Sequence, residues 1–343
     1  MKKHNWICKK LQHSEYKYTD LIRQNYFDHN NYIRNKNYLP LSDSNFNVWP
    51  SLVGNSAFYK STKQRIKRQS NYKNWLIIVF TNLDYLEVAK IWYDQLTSLG
   101  YKSHTIVALN EETFEALEGS EYRSIRAFSE LTFVAGFSLH DLWLLRWKTV
   151  LGLINQGHNV FLNDADSIWK KNIDLNTVFS QNYDILHVYD RKYPRKVYDA
   201  QKFVVNGGVI AYRATDLTKK LLKIWIDECE SKGCDDQDTM NRYYLEEGVV
   251  WNPHSEMLEI EQSFNRTGVI RGDSEMAGLK ISVVYDGLVF RGNQPKFCDE
   301  GNFEMPNLWI YLPQADKTGE SKMQMLVKYK KCFTEAIRNR YFS

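Results

Sequence analysis

The chain has no C-x-x-C pair. Its five cysteines, Cys8, Cys229, Cys234, Cys298 and Cys332, form an odd set. A disulfide framework and a structural zinc site are therefore not expected, and reduced thiols in a cytoplasmic compartment are. No run of about 20 apolar residues occurs, so no transmembrane segment is expected. No apolar stretch follows Lys2 and Lys3, so the residues from Met1 to Trp6 do not read as a signal peptide. Charge of one sign is missing as well. Lys plus Arg number 45 against 41 Asp plus Glu, a formal net charge of +4, too little to point to nucleic acid. What is present is ordinary for a globular protein: 343 residues, 43% hydrophobic and 25% charged, enough for one large α/β domain plus an extension, or for two domains. The aromatic share of 14%, with 22 Tyr and 10 Trp, exceeds what a core needs. Sugar-handling surfaces use such rings, although most of these belong to the core.

The stretch from His158 to Trp169, H-N-V-F-L-N-D-A-D-S-I-W, organises the rest. Val160, Phe161 and Leu162 form an apolar run too short for a helix, behind a helix stop at Gly157. They predict a short buried strand. Asp164 and Asp166 then stand where the chain leaves the sheet, on the carboxyl edge where open α/β folds place their ligands. Two hard oxygen donors one residue apart suit Mg²⁺ or Mn²⁺ with open positions for phosphate oxygens. An isolated D-x-D also reads as a pair of turn-capping aspartates, so its meaning depends on its neighbours.

Residues 1–70 are rich in Asn, Tyr and Lys, with little periodicity and a basic run from Lys60 to Arg68. They predict an extension packed on a main domain of residues 71–343. Strands are predicted over residues 75–80 and 104–109 with a helix over 84–99 between them, the start of a right-handed parallel unit. Thr81, Asn82 and Asn110 end those strands with groups suited to a base and ribose, or to ordinary turns. A helix over 141–156, capped by Asp141, carries Arg146 and Lys148 into the D-A-D strand. Another strand is predicted over 184–189. The basic loop 190–202, with Arg191, Lys192, Arg195 and Lys196, reads as a mobile lid or as a solvated surface. Residues 203–212 are two apolar runs split by Asn206-Gly207-Gly208, where glycine permits either close backbone approach or a turn. A helix capped by Thr215 follows. Then comes D-D-Q-D from Asp235, too polar for a buried strand and suited to a helix N-terminus. Residues 322–340 predict one amphipathic helix.

This ordered series, F-L-N-D-A-D-S-I-W, then V-N-G-G-V-I, then a helix with Trp225, then D-D-Q-D-T-M-N, resembles nucleotide-diphospho-sugar transferases of the GT-A fold. It looks most like glycosyltransferase family 77, with family 8 as a relative. The likeness spans roughly residues 75–330. It implies an α/β fold: a GT-A, Rossmann-like mixed sheet flanked by helices. It implies that Asp164 and Asp166 hold Mn²⁺ (or Mg²⁺) and through it the diphosphate of a UDP-sugar, with Asp164 also near the ribose. Thr81, Asn82, Asn110, Lys148 and Lys322 join the donor-binding set. Asn206, Gly207 and Gly208 lie beside the donor sugar and the acceptor, and Asp236 and Gln237 form the catalytic pair near the transferring sugar.

The implied reaction retains anomeric configuration. It moves a hexose or pentose, galactose or xylose favoured, to a glycan or protein-linked acceptor. The chain departs from the family where a third metal ligand, a His, usually stands. Here that place is taken by Gln314, with Asp316 two residues on. Asp316 is a hard oxygen donor and Gln314 a weaker one. Two competing readings are a catalytically weak or inactive sugar-nucleotide-binding relative and a haloacid-dehalogenase-like phosphatase. The phosphatase reading gives N-G-G and D-Q-D no role.

Overall fold

The computed structural model of the protein describes residues 75–127, 138–172, 175, 183–190, 193–249, 251, 270–276, 278–285, 289–291, 298, 310–313 and 318–343. The chain divides into two compact units, residues 1–64 and 65–343. The expected extension lies outside the described residues, as do Arg191, Lys192, Gln314 and Asp316.

The elements run β1 (Trp75–Thr81), a 3-10 turn (Leu83–Tyr85), α1 (Leu86–Ser98), β2 (His104–Ala108), α2 (Glu111–Leu117), β3 (Ser124–Arg126), α3 (Leu139–Asn155) and β4 (Asn159–Asn163). There follow β5 (Ile168–Trp169), β6 (Ile185–Asp190), α4 (Arg195–Gln201), β7 (Val204–Tyr212), α5 (Asp216–Lys232) and α6 (Asp236–Glu246). The chain goes on through β8 (Ile270–Met276), β9 (Leu279–Tyr285), β10 (Val289–Arg291), β11 (Ile310–Leu312), α7 (Gly319–Lys328), a second 3-10 turn (Lys330–Cys332) and α8 (Glu335–Tyr341).

Eight strands form one sheet in the order β3-β2-β1-β4-β7-β6-β9-β8, and β10, β11 and β5 form a small second one. β3, β2, β1 and β4 are parallel, while β7 runs antiparallel to both β4 and β6. The sheet is thus mixed and helix-flanked, as expected. β1 and β4 read as continuous apolar runs because helices cover both of their faces. The chain winds outward from β1 to β2 and β3 on one side and then to β4 on the other. The carboxyl ends of β1 and β4 therefore lie at the point where strand order reverses, the place where such sheets bind ligands. β7, being antiparallel, starts on that same edge.

Two layers hold the sheet. On one face Trp92 and Leu96 of α1 pack with Ile77, Val79 and Phe161, and α1 also carries the C-terminal residues Leu326, Tyr329 and Phe333. In the α3–α5–α6 layer, Trp147 meets Trp225 at 5.1 Å between ring centroids, and Trp225 meets Tyr244 at 5.8 Å. Side chains of this size each contribute on the order of 2–3 kcal/mol when fully buried.

Several expectations are corrected. The third helix begins at Leu139, because Ser138 and Asp141 form a reciprocal capping box; Asp141 is its third residue, not its cap. The loop over 190–202 contains α4. Residues 322–340 form two helices with a 3-10 turn between them, and the apolar spacing ran through the break. Asn206-Gly207-Gly208 lies within the single strand β7 and makes no hairpin. Four of the five cysteines are paired, Cys229 with Cys234 and Cys298 with Cys332. Spacing hid this, because Cys229 sits one turn before the end of α5 and Cys234 just past it, while the second pair meets across 34 residues. This corrects the expectation of reduced thiols at these four positions. Among the described residues no helix is long and apolar enough to cross a membrane.

Candidate active site

β4 delivers Asp164-Ala165-Asp166 beyond the sheet edge, in a turn closed by the Ser167 amide donating to the Asp164 carbonyl at 3.1 Å. The Asp164 side chain is 41% exposed and the Asp166 side chain 13%. Lys322, on α7, donates to the Asp166 carboxylate in an ion pair. Burial holds the Asp166 carboxyl above its ordinary range; the Lys322 ammonium pulls against that and the Asp164 charge adds to it. α7 reaches this point because it starts on a glycine. The Gly319 amide donates to Asp84 Oδ2 at 3.0 Å, and a Cβ on Gly319 would stand 1.9 Å from the Asp84 carbonyl oxygen. A side chain there would push the helix, and Lys322 with it, away from Asp166.

Arg146 of α3 ties the two acidic segments together. Its Nη2 lies 3.4 Å from Asp164 Oδ1 and its Nη1 3.3 Å from Asp236 Oδ2. Nη2 also donates to the Gly207 carbonyl at 3.1 Å. The Arg146 and Asp236 side chains are each only 9% exposed. Burial pushes the Asp236 carboxyl up to about 7, with Arg146 opposing and the charges of Asp235 and Asp164 adding. A buried guanidinium shared by two carboxylates fixes their spacing, because leaving either charge unpaired is costly.

Gln237 uses both ends of its amide. Its Oε1 accepts from the Gly207 amide at 3.1 Å, and its Nε2 donates to Asp190 Oδ2 at 3.0 Å and to the Tyr193 carbonyl at 2.6 Å. The D-x-D turn, the D-Q helix start and the N-G-G strand thus meet in one hydrogen-bonded cluster.

The N-G-G segment explains itself in this setting. Tyr189 of β6 pairs with Val205 and His187 with Ile210, so β7 bulges over Asn206–Val209. Asn206 Oδ1 holds the bulge by accepting from the Gly208 and Val209 amides at 2.8 and 3.0 Å, and its Nδ2 donates to Asp190 Oδ2 at 3.0 Å. Bulges of this kind re-aim backbone groups and accommodate glycine. A Cβ on Gly208 would stand 1.9 Å from Asp164 Oδ2, and one on Gly207 3.1 Å from Asp236 Oδ1. The glycines are what lets β7 press against both acids.

The remaining expected residues divide. Thr81, buried, ends β1 beside the D-x-D strand. Asn82 caps the 3-10 turn by accepting from the Tyr85 amide at 3.2 Å. Asn110 caps α2 by accepting from the Thr113 amide at 3.0 Å. The side-chain oxygens of both asparagines serve as caps, and their amide nitrogens take no part in those caps. Lys148 points elsewhere, pairing with Glu230 of α5 at 2.5 Å. Two positions along a helix is a rotation of about 200°, so Arg146 and Lys148 cannot both face the acids.

Three further residues belong to the site. From the sequence Arg146 reads only as a helix charge. Asp190 ends β6 just as Asn163 ends β4, so the same strand-end rule would have found it. Tyr85 lies close enough to the acids that Asp84, Asp166 and Asp164 add to the burial that pushes its phenol up to about 12.

The donor set fits a divalent ion. Asp164 and Asp166 offer hard oxygens, one open to solvent, each paired in this structure with a protein cation. Among the described residues no group of three or more His, Cys, Asp or Glu side chains converges. Further ligands would therefore be phosphate oxygens, water or groups outside the described residues, such as Asp316 and Gln314.

A family model described as nucleotide-diphospho-sugar transferase matches residues 102–301. No curated protein sequence matches the chain. Among solved structures, the galactosyltransferase LgtC in complex with donor and acceptor sugar analogs aligns with a TM-score of 0.40 at 9% identity, covering 77% of this chain and 99% of that one. The apo glycosyltransferase GlyE of Streptococcus pneumoniae aligns with a TM-score of 0.40 at 13% identity, covering 79% and 63%. A glycosyltransferase involved in glycosylation of the major capsid of PBCV-1 aligns with a TM-score of 0.37 at 10% identity, covering 73% and 98%.

Proposed function

The chain belongs to the nucleotide-diphospho-sugar transferases, and from that premise we propose that it transfers a hexose or pentose from a UDP-sugar to a carbohydrate or glycoprotein acceptor with retention of configuration. Galactose and xylose are the favoured sugars. The observation that carries the reading is the shared Arg146: one buried guanidinium holds Asp164 and Asp236 beside the Gly207 backbone, at the sheet edge where ligands bind.

Asp164 and Asp166 would hold Mn²⁺ or Mg²⁺, which supplies Lewis-acid stabilisation of charge building on the departing diphosphate. The chain's own cations serve the same end. Lys322 and Arg146 stand on the acids and add positive potential where the leaving group collects negative charge. Thr81, Asn82 and Asn110 border the sheet edge where a nucleotide would lie.

The transferring carbon develops oxocarbenium character, and Asp236, held by Arg146 beside Gly207, is the carboxylate assigned to it. Gln237 is fully engaged in holding Gly207, Asp190 and Tyr193, so its part is to position the strand and Asp190, and it is a poor nucleophile. Same-face attack, with the acceptor hydroxyl entering as the phosphate leaves, asks least of these groups. Asp236 then steadies the developing positive charge without forming a bond.

A weakly active relative is the second reading, favoured by the Lys322–Asp166 ion pair, which metal entry must break. Hydrolysis of a panel of UDP-sugars without acceptor separates the two. Release of UDP in the presence of Mn²⁺ supports the transferase. No UDP release from any donor, together with UDP binding, supports the inactive relative.

A further inference from the structure

The Cys229–Cys234 bridge sits at the junction of three helices that build the site. Both cysteines are buried, at 0% and 4% exposure. Cys229 lies in the last turn of α5. The chain turns at Gly233, with φ of +90°, and Cys234 then immediately precedes Asp235, which caps α6 by accepting from the Asp238 amide at 2.9 Å. The Cys234 amide donates to His140 Nδ1 at 2.5 Å, and His140 stands in the first turn of α3, the helix that carries Arg146. Two residues past the bridge is Asp236, paired with that same Arg146.

The body of α6 has other anchors. Arg242 pairs with Glu228 of α5 at 2.5 Å, Tyr244 packs on Trp225, and Asn241 bonds both the Val205 amide and carbonyl of β7 at 2.8 Å. The first turn of α6, from Asp235 to Gln237, is held by non-covalent contacts to Arg146, Gly207, Asp190 and Tyr193, and the bridge is the covalent anchor at its start. The loop it closes is five residues in sequence separation, and loops this short gain least from chain-entropy reduction. Global stabilisation is thus a weak reason for a crosslink here, whereas placement of the turn is a strong one.

We infer that the Cys229–Cys234 disulfide is a positioning device for Asp236 and Gln237, setting the first turn of α6 against Arg146 and Gly207. The inference rests on the proposed function for its consequence in turnover, but not for its structural content. Thiol–disulfide exchange with a small external disulfide closes the bridge. One S–S bond forms as one breaks, and the external disulfide leaves as two thiols carrying the two electrons and two protons.

The test compares wild type with C229S/C234S, with C298S/C332S as control. Peptide mapping after alkylation without reductant should find Cys229 linked to Cys234. Hydrogen exchange should be at least fivefold faster in C229S/C234S across residues 234–240, and in 203–209, which contains the Gly207 amide bonded to Gln237. Residues 241–249 should change less than twofold. In donor hydrolysis the same variant should lose at least fivefold in kcat with KM within twofold.

Free thiols at both positions in wild type overturn the inference. So does unchanged exchange, an increase spread evenly over α5 and α6, or unfolding of the variant, which would show a bridge that merely stabilises. Localised loosening in a protein that hydrolyses no UDP-sugar keeps the bridge and removes the proposed function. Hydrolysis with unmoved exchange does the reverse.

Discussion

Arg146 reaches Asp236 at 3.3 Å with both side chains almost wholly buried, joining a residue of α3 to one 90 positions later at the start of α6. A buried pair broken on one side costs about 3–5 kcal/mol. R146M should therefore destabilise the protein by about 3 kcal/mol at pH 8, where Asp236 is ionised. The loss should be smaller at pH 5.5, where a protonated carboxyl no longer needs its partner. Urea unfolding at the two pH values checks this, and D236N in the R146M background should recover part of the loss. Transfer by R146M should fall at least about 100-fold, the scale seen when one preorganised electrostatic contact is removed.

The pH dependence follows from Asp236. Its carboxyl, pushed up to about 7 by burial, lies above the ordinary aspartate value of about 4 expected of the unfolded chain. The neutral acid is thus the form the fold prefers. Its contribution to stability is fully present below about pH 4 and is lost as pH rises through 7. Activity that needs the carboxylate should run the opposite way, rising across pH 6–8 to a plateau. D236N should flatten the stability difference across that window, measured by unfolding at stepped pH.

The glycines of the bulge should respond unequally. G208A drives a methyl to within 1.9 Å of Asp164 Oδ2, whereas G207A meets Asp236 at 3.1 Å. Overpacking costs about 1–3 kcal/mol, so G208A should weaken metal-dependent UDP binding at least tenfold by displacing Asp164. G207A should leave binding closer to wild type and reduce turnover. Calorimetric UDP titration alongside donor hydrolysis separates the two effects.

How far the sequence carried differs between fold and site. The parallel start, the D-x-D strand end and the helical N-terminus at D-Q were legible because each depends on local spacing, period and strand-end position. Arg146 was not, since a buried arginine on an otherwise apolar helix face looks the same as an exposed one until α6 is packed against it. The role of N-G-G was half legible. Glycine signalled close approach, but the pairing of β7 with β4 that puts Gly208 on Asp164 is a tertiary fact. The disulfides are not legible because an odd count and irregular spacing say nothing about which helix ends meet.

Lys148 and Lys322 should respond differently to loss of charge. Lys148 pairs with Glu230 away from the acids, so K148M should leave UDP binding within twofold and change stability by about 1 kcal/mol or less. K322M removes the cation on Asp166, which a metal would displace onto the diphosphate, and so should weaken UDP binding at least tenfold in the presence of Mn²⁺. Equal effects of the two variants would contradict the geometry of α3.

The most direct measurement is UDP binding by calorimetry to wild type and D164N/D166N, each with Mn²⁺ and with excess EDTA. Wild type should bind UDP at least tenfold more tightly with Mn²⁺ than with EDTA, and the double variant should show no such difference. UDP affinity in wild type that ignores EDTA, or a metal dependence that survives in D164N/D166N, would contradict the assignment of the paired acids to the donor diphosphate.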